Sequence, residues 1–270
     1  MMRGDLALAR IRARRFTVLL TFDVDADGSV RGPYSGLADE PVARSKGQFG
    51  PKVGLPRILD LLDKYLIKST FFVPGWTAET YPESVKEIVR RGHEVGVHGY
   101  KHENLAQLNS QKDETEILRK SLDRLQAVVG QKPVGFRAPD WEFSPYTIEN
   151  LLKFNLKYDS SLMDDERPYV IKYQGKSTGM VELPVSWLLD DWSVFEVHRR
   201  PPSEAFNAWM QEFNTLYAAN VPYFNLTMHP QTIGRASRTA MLETLIKTMR
   251  RKKGVRFSRC IDLASETADG

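Results

Sequence analysis

Six side chains able to move protons or hold a cation fall just after apolar, β-rich runs of this sequence. Asp23 and Asp25 follow RFTVLLTF, His98 and His102 follow HEVGV, Arg137 follows PVGF, and His229 follows YFNLTM. The chain has five histidines in 270 residues, and three of them, with two glutamates, lie in the short stretch RRGHEVGVHGYKHENL. His98 and His102 are four apart, so one helical turn or a tight loop brings both imidazoles to one face. Adding a carboxylate from the first run gives two histidines and one aspartate with open positions, a set that suits a catalytic divalent metal. Asp23 and Asp25 are two apart, so on an extended strand both carboxylates enter the same space. His93 and Glu94 come before the strand's exit and are expected in structural roles.

The elements that must position these groups alternate along the chain. Apolar runs at 15–22, 69–75, HEVGV, PVGFR, LKYDSS, MVELPVS, PYFNLTMH and VRFSR read as seven or eight strands. Between them run five or six helices. Ile58, Leu59, Leu62, Tyr65 and Leu66 mark one amphipathic face, and Ser110 and Gly130 bracket a helix over about 111–129. Shorter helices are expected from Pro145, over about 203–219 and over about 236–251. This is the pattern of parallel βαβ units closing a barrel, whose chemistry is built at the C-terminal ends of the strands. One domain over 1–270 is expected, interrupted by a long βα loop at about 26–54 that reads as a lid, far beyond the ~2 to 6 residues usual for such a connection.

Composition sets limits on partners. The formal charge is +4, and the basic excess sits at the ends, in ARIRARR and KTMRRKKG, so nucleic acid is not expected as a partner. No apolar run approaches the ~20 residues of a membrane helix, and no signal peptide is evident, so a cytoplasmic protein without a membrane partner is expected. Cys260 is the only cysteine, which excludes an internal disulfide and a cysteine-based zinc site; RFSRCIDL reads as packing around a small hydrophobe.

TFDVDAD, HGYKH, FRAPDW and LTMHP stand in the order and rough separations of the motifs of the polysaccharide deacetylase (NodB-like, carbohydrate esterase family 4) superfamily. The resemblance covers roughly 16–260 and implies an α/β fold, a distorted (β/α)7-8 barrel that hydrolyses amide C–N bonds with one divalent metal ion, zinc being the expected ion. Carried over by motif position, Asp25, His98 and His102 resemble the metal ligands, Asp23 the general base, and His229 the general acid. Arg137 is similar to the arginine that orients the catalytic aspartate, while Pro139 and Trp141 resemble the pocket wall. A backbone N–H beyond Trp76 or Trp141 is expected to hold the oxyanion. The common family form has its two aspartates adjacent; here Val24 separates them.

SKGQFGPKVGLPRILDLLDKYLIKSTFFVPGW and YDSSLMDDERPY resemble the branch that holds peptidoglycan-deacetylase-like proteins, cyclic imide hydrolases and allantoinase-like proteins. The substrate is therefore expected to be an N-acetylated sugar or, alternatively, a small cyclic amide, with Arg167 and Tyr169 as further contacts. WLLDDWSVF could cover the pocket, and a homo-oligomer is an expectation from the branch. An iron oxygenase shares the ligand set, and a silent carbohydrate-binding relative shares the fold; the RAPDW and LTMHP motifs speak against the first, and the intact residue set against the second.

Overall fold

The computed structural model describes residues 15–28 and 40–268. Tyr34, the basic run before Arg15 and residues 29–39 of the expected lid loop lie outside them.

Strand β1 (Phe16–Asp23) is buried along its whole length. It pairs in parallel with β2 (Thr70–Val73) on one side and β8 (Tyr223–Met228) on the other, with β9 (Val255–Ser258) against its first half. A strand covered on both faces has no solvent side to be polar, which is why RFTVLLTF reads as a continuous apolar run rather than an alternating one. The sheet continues from β2 through β3 (Glu94–Val97), β4 (Gly135–Phe136), β5 (Tyr158–Asp159) and β7 (Lys176–Glu182) to β6 (Tyr169–Tyr173), its one antiparallel member. The result is a curled, mixed sheet with helices around it, a (β/α) barrel left open between the β6–β7 hairpin and β8. Among the described residues only a single bridge, Asp190 to Thr227, reaches across from the β7 side.

The helices pack apolar faces on this sheet. Leu55, Ile58, Leu59, Leu61 and Leu62 of Leu55–Lys64 are buried. The helix Gln111–Val129 begins where Ser110 Oγ accepts the Asp113 N–H at 3.2 Å and stops at Gly130, whose φ is 82°. A C-terminal helix, Cys260–Ala268, adds an element beyond those read from the sequence. Glu94 accepts its Ile261 N–H at 3.1 Å, and His93 Nδ1 accepts the Ser69 N–H at 3.1 Å, so both residues serve the barrel's opposite end. Cys260 is buried there, and burial pushes its thiol pKa up.

The expected lid loop takes a different form. Residues Pro41–Phe49 are α-helical and Gly50–Gly54 form a π-helical turn that runs directly into Leu55–Lys64. This segment lies against the loops that leave β1 and β8. A methyl group on Gly47 would sit 2.5 Å from the Ala26 carbonyl oxygen, and one on Gly54 only 2.0 Å from that of Pro230. Backbone against backbone cannot yield cheaply, so Gly54→Ala is expected to cost about 1–3 kcal/mol. A urea titration should show a lower midpoint with an unchanged slope; a wild-type midpoint would mean that the segment does not bear on the β8 loop.

Candidate active site

The C-terminal ends of β1, β3, β4 and β8 converge. Asp23 ends β1, Asp25 lies two residues on, and both are nearly fully buried. The two carboxylates have different company. Asp23 Oδ1 accepts Arg137 Nη1 at 2.8 Å. Arg137 is wholly buried and fixed on every side: Nε donates to the Ser160 carbonyl at 2.9 Å, Nη2 to Ser160 Oγ at 2.9 Å and Nη1 also to Thr21 Oγ1 at 3.0 Å. Its guanidinium stacks over Phe72 at 4.2 Å. A buried planar cation held this way is a rigid partner for one carboxylate.

Asp25 turns instead to the histidines. Its Oδ1 lies 3.5 Å from His98 Nε2 and 4.0 Å from His102 Nε2, buried and without any hydrogen-bond donor. His98 Nδ1 meets the Arg137 carbonyl oxygen at 2.8 Å, so Nδ1 carries the hydrogen and the Nε2 lone pair faces Asp25. Burial outweighs the pull of the Asp25 charge and lowers the His98 pKa to about 3. His102 reaches the site from a turn in which Gly99 and His102 both have positive φ, 66° and 60°. Glu103 pins that turn through Oε2, which accepts the Tyr100 and Lys101 N–H groups at 2.9 and 2.8 Å.

Two imidazoles and an undonated carboxylate oxygen, with ligand atoms within 4.8 Å of one another, are a donor set that suits a divalent cation. A second group, Asp190, Asp191 and His229, is equally close but already satisfied. Asp190 accepts the Trp192 and Ser193 N–H groups at 3.3 and 2.9 Å, and Asp191 Oδ1 meets His229 Nδ1 at 2.7 Å. It is a hydrogen-bonded support, whereas the Asp25 group keeps a carboxylate oxygen without a donor.

His229 follows β8. Asp191 also accepts its backbone N–H at 3.0 Å, fixing the ring so that Nε2 points back to Asp25 Oδ2 at 3.8 Å. Burial works against a charge on His229, but Asp191's charge and hydrogen bond prevail and raise its pKa well above the ordinary value. Burial raises Asp191 to about 6 against the pull of His229.

The remaining expected residues divide. Pro139 packs on the His98–His102 turn, where a methyl on Gly99 would meet its Cγ at 3.0 Å. Trp141 packs against Trp187 with ring centroids 4.5 Å apart and planes tilted by 46°, and Trp76 covers Gly28 beyond Asp25. Of the backbone groups near the expected oxyanion position, the Trp76 N–H donates to the Tyr100 carbonyl at 2.8 Å, and those of Trp141 and Glu142 donate to the Ala138 and Pro139 carbonyls at 3.1 and 3.3 Å. Arg167 and Tyr169 make no hydrogen bond or ion pair with the Asp–His cluster among the described contacts. Arg167 is exposed, and Tyr169 hydrogen-bonds to Asp164 on its own loop. That loop borders a cavity of about 410 Å³ in the open seam, lined by Met163, Pro184, Trp187, Leu216, Tyr223 and Asn225. Sequence reading passed over Asp191 and Gln231. Two adjacent acids after the apolar WLL, and a polar residue directly after His-Pro, were the available signals.

An open (β/α) barrel with an Asp–His–His cluster, an Arg-bound aspartate and an Asp-bound histidine at its strand ends defines the class of hydrolases that cleave non-peptide C–N bonds. The chain belongs to the polysaccharide deacetylase family, whose model matches residues 12–158. It is similar to a peptidoglycan deacetylase of Helicobacter pylori, 34% identical over 94% of this chain and 97% of that protein. A solved structure from Mycobacterium smegmatis, named for the polysaccharide deacetylases, superposes with a TM-score of 0.88 at 36% identity over 95% of this chain and 91% of its own. An allantoinase structure shares the fold, with a TM-score of 0.84 at 22% identity over 94% and 90%. No helix among the described residues is long and apolar enough to cross a membrane.

Proposed function

We propose that this chain removes acetyl groups from N-acetylated sugars of peptidoglycan-type polymers, with Asp25, His98 and His102 holding a zinc ion. The observation that carries the reading is the division of labour between the two aspartates: Arg137 claims Asp23, while Asp25 offers an undonated oxygen to two imidazole nitrogens. The family and the name of the Helicobacter pylori relative support the substrate class.

A cation in that position supplies Lewis acidity, which activates water and polarises an amide carbonyl. Asp23, oriented by Arg137, accepts the proton as water oxygen attacks the carbonyl carbon. His229, charged and held by Asp191, gives the Nε2 proton to the nitrogen as the C–N bond breaks. The products are acetate and a free amine. Trp141 and Trp187 make an aromatic wall beside this centre, suited to a sugar face. Cytoplasmic location and self-association belong to the same proposal, to be read by fractionation and by sedimentation.

The test sets acetate release from N-acetylglucosamine oligomers and peptidoglycan against ring opening of succinimide. Acetate release that stops with a chelator and returns with zinc is the expected result. Ring opening without acetate release would overturn the sugar reading in favour of a cyclic imide hydrolase.

A further inference from the structure

We infer that Gln231 is a positioning residue for the metal site, fixing which oxygen of Asp25 faces the histidines. The inference rests on the ligand assignment proposed above and adds a residue to it. Gln231 follows His229-Pro230 and is only 3% exposed. Its Nε2 donates to Asp25 Oδ2 at 3.3 Å. Asp25 thus has two differentiated oxygens. Oδ1 receives no hydrogen and faces His98 and His102; Oδ2 takes the amide N–H and lies 3.8 Å from His229 Nε2.

A carboxylate at a chain turn can rotate about its terminal bond, which is broad and nearly two-fold in aspartate. An amide donor on one oxygen resists that rotation and leaves the other lone pairs for a cation, the usual task of a group hydrogen-bonded to a ligating carboxylate. The amide is itself held in place. Its Oε1 is buried with no partner, and a methyl on Gly50 would sit 3.3 Å from it and 3.4 Å from the Gln231 nitrogen. The backbone of Gly50, in the π-helical turn, therefore forms the wall behind the amide. A buried carbonyl without a donor is costly, and it persists here because the opposite end of the same amide is committed to Asp25. The side chain's alternatives are poor: turning the amide over would set its oxygen against the carboxylate.

The experiment measures zinc affinity of the full chain by competition with a chromophoric chelator, alongside the melting temperature of the metal-free protein. Gln231→Met keeps length and apolar fit but removes the donor. It is expected to weaken zinc binding about 10- to 100-fold, with kcat returning to within about twofold of wild type at saturating zinc and KM unchanged. Gly50→Ala, which presses on the amide from behind, is expected to shift zinc affinity in the same direction. Thr232→Val, at the neighbouring buried hydroxyl, is expected to leave it unchanged. Wild-type zinc affinity in Gln231→Met, or equal losses in Gln231→Met and Thr232→Val, would overturn the inference. Asp25→Ala separates the two levels: zinc binding untouched by that change would sink the ligand assignment itself. If Gln231→Met does not fold, Gly50→Ala decides alone, and zinc affinity equal to wild type in it overturns the inference.

Discussion

Asparagine at position 23 is expected to lower kcat by about 10²- to 10⁴-fold, the range of a lost general base, while zinc still binds. The substitution is nearly isosteric, and its amide oxygen can keep the 2.8 Å bond from Arg137 Nη1. What it cannot do is accept a proton from the attacking water. Because Asp25, His98 and His102 are untouched, metal content by elemental analysis should match wild type. The converse substitution, Asp25→Asn, should lose metal and turnover together. Near-normal turnover in Asp23→Asn would remove the base assignment and leave Asp23 as a counter-ion for Arg137. Loss of metal in that variant would show that the aspartates have exchanged roles.

A second large effect is expected at the departing nitrogen. His229→Ala should reduce hydrolysis of ordinary acetamido sugars by about 10²- to 10⁴-fold. The loss should shrink for an acetanilide bearing a nitro group, whose nitrogen departs with less help from a proton. A loss equal for both substrates would mean that His229 acts before C–N cleavage. Asp191 supplies the finer test. It raises the His229 pKa, chiefly by its charge against the opposing effect of burial, so Asp191→Asn should lower that pKa. The acid is then deprotonated at lower pH, and the alkaline limb of the kcat/KM profile moves down the pH scale. An unshifted limb in Asp191→Asn would assign that limb to another group.

The site's main residues were legible because a parallel barrel writes its chemistry at fixed places. Each of Asp23, His98, Arg137 and His229 is the polar residue at the end of an apolar run, and periodicity finds such ends without knowing the fold. The long helix Gln111–Val129 was equally legible, since its Ser110 cap and Gly130 stop are local signals. Long-range partners left weaker traces. Asp191 matters through its contact with His229, 38 positions away, and nothing in WLLDDWSVF announces that contact. The strand Tyr169–Tyr173 was hidden for a different reason. Its hairpin turns at Gln174-Gly175, both with positive φ, and glutamine is a poor advertisement for a turn usually written Asn-Gly or Asp-Gly. The segment Pro41–Gly54 looked like a loop because its glycines, which lower helix propensity, are there for close approach to Ala26 and Pro230.

The central position of β1 also governs the order in which the molecule can be built. Thr21 of β1 hydrogen-bonds Asn225 of β8 across 204 positions of sequence. Contacts of that separation are slow to form, because a large loop must close before they repay its entropy. During synthesis β1 leaves the ribosome well before β8 and β9, which cover it. Until they emerge, the apolar FTVLLTF has an open edge, a template for pairing with another nascent chain. The same strand that brings Asp23 beside Arg137 is thus the one whose exposure during synthesis invites mispairing.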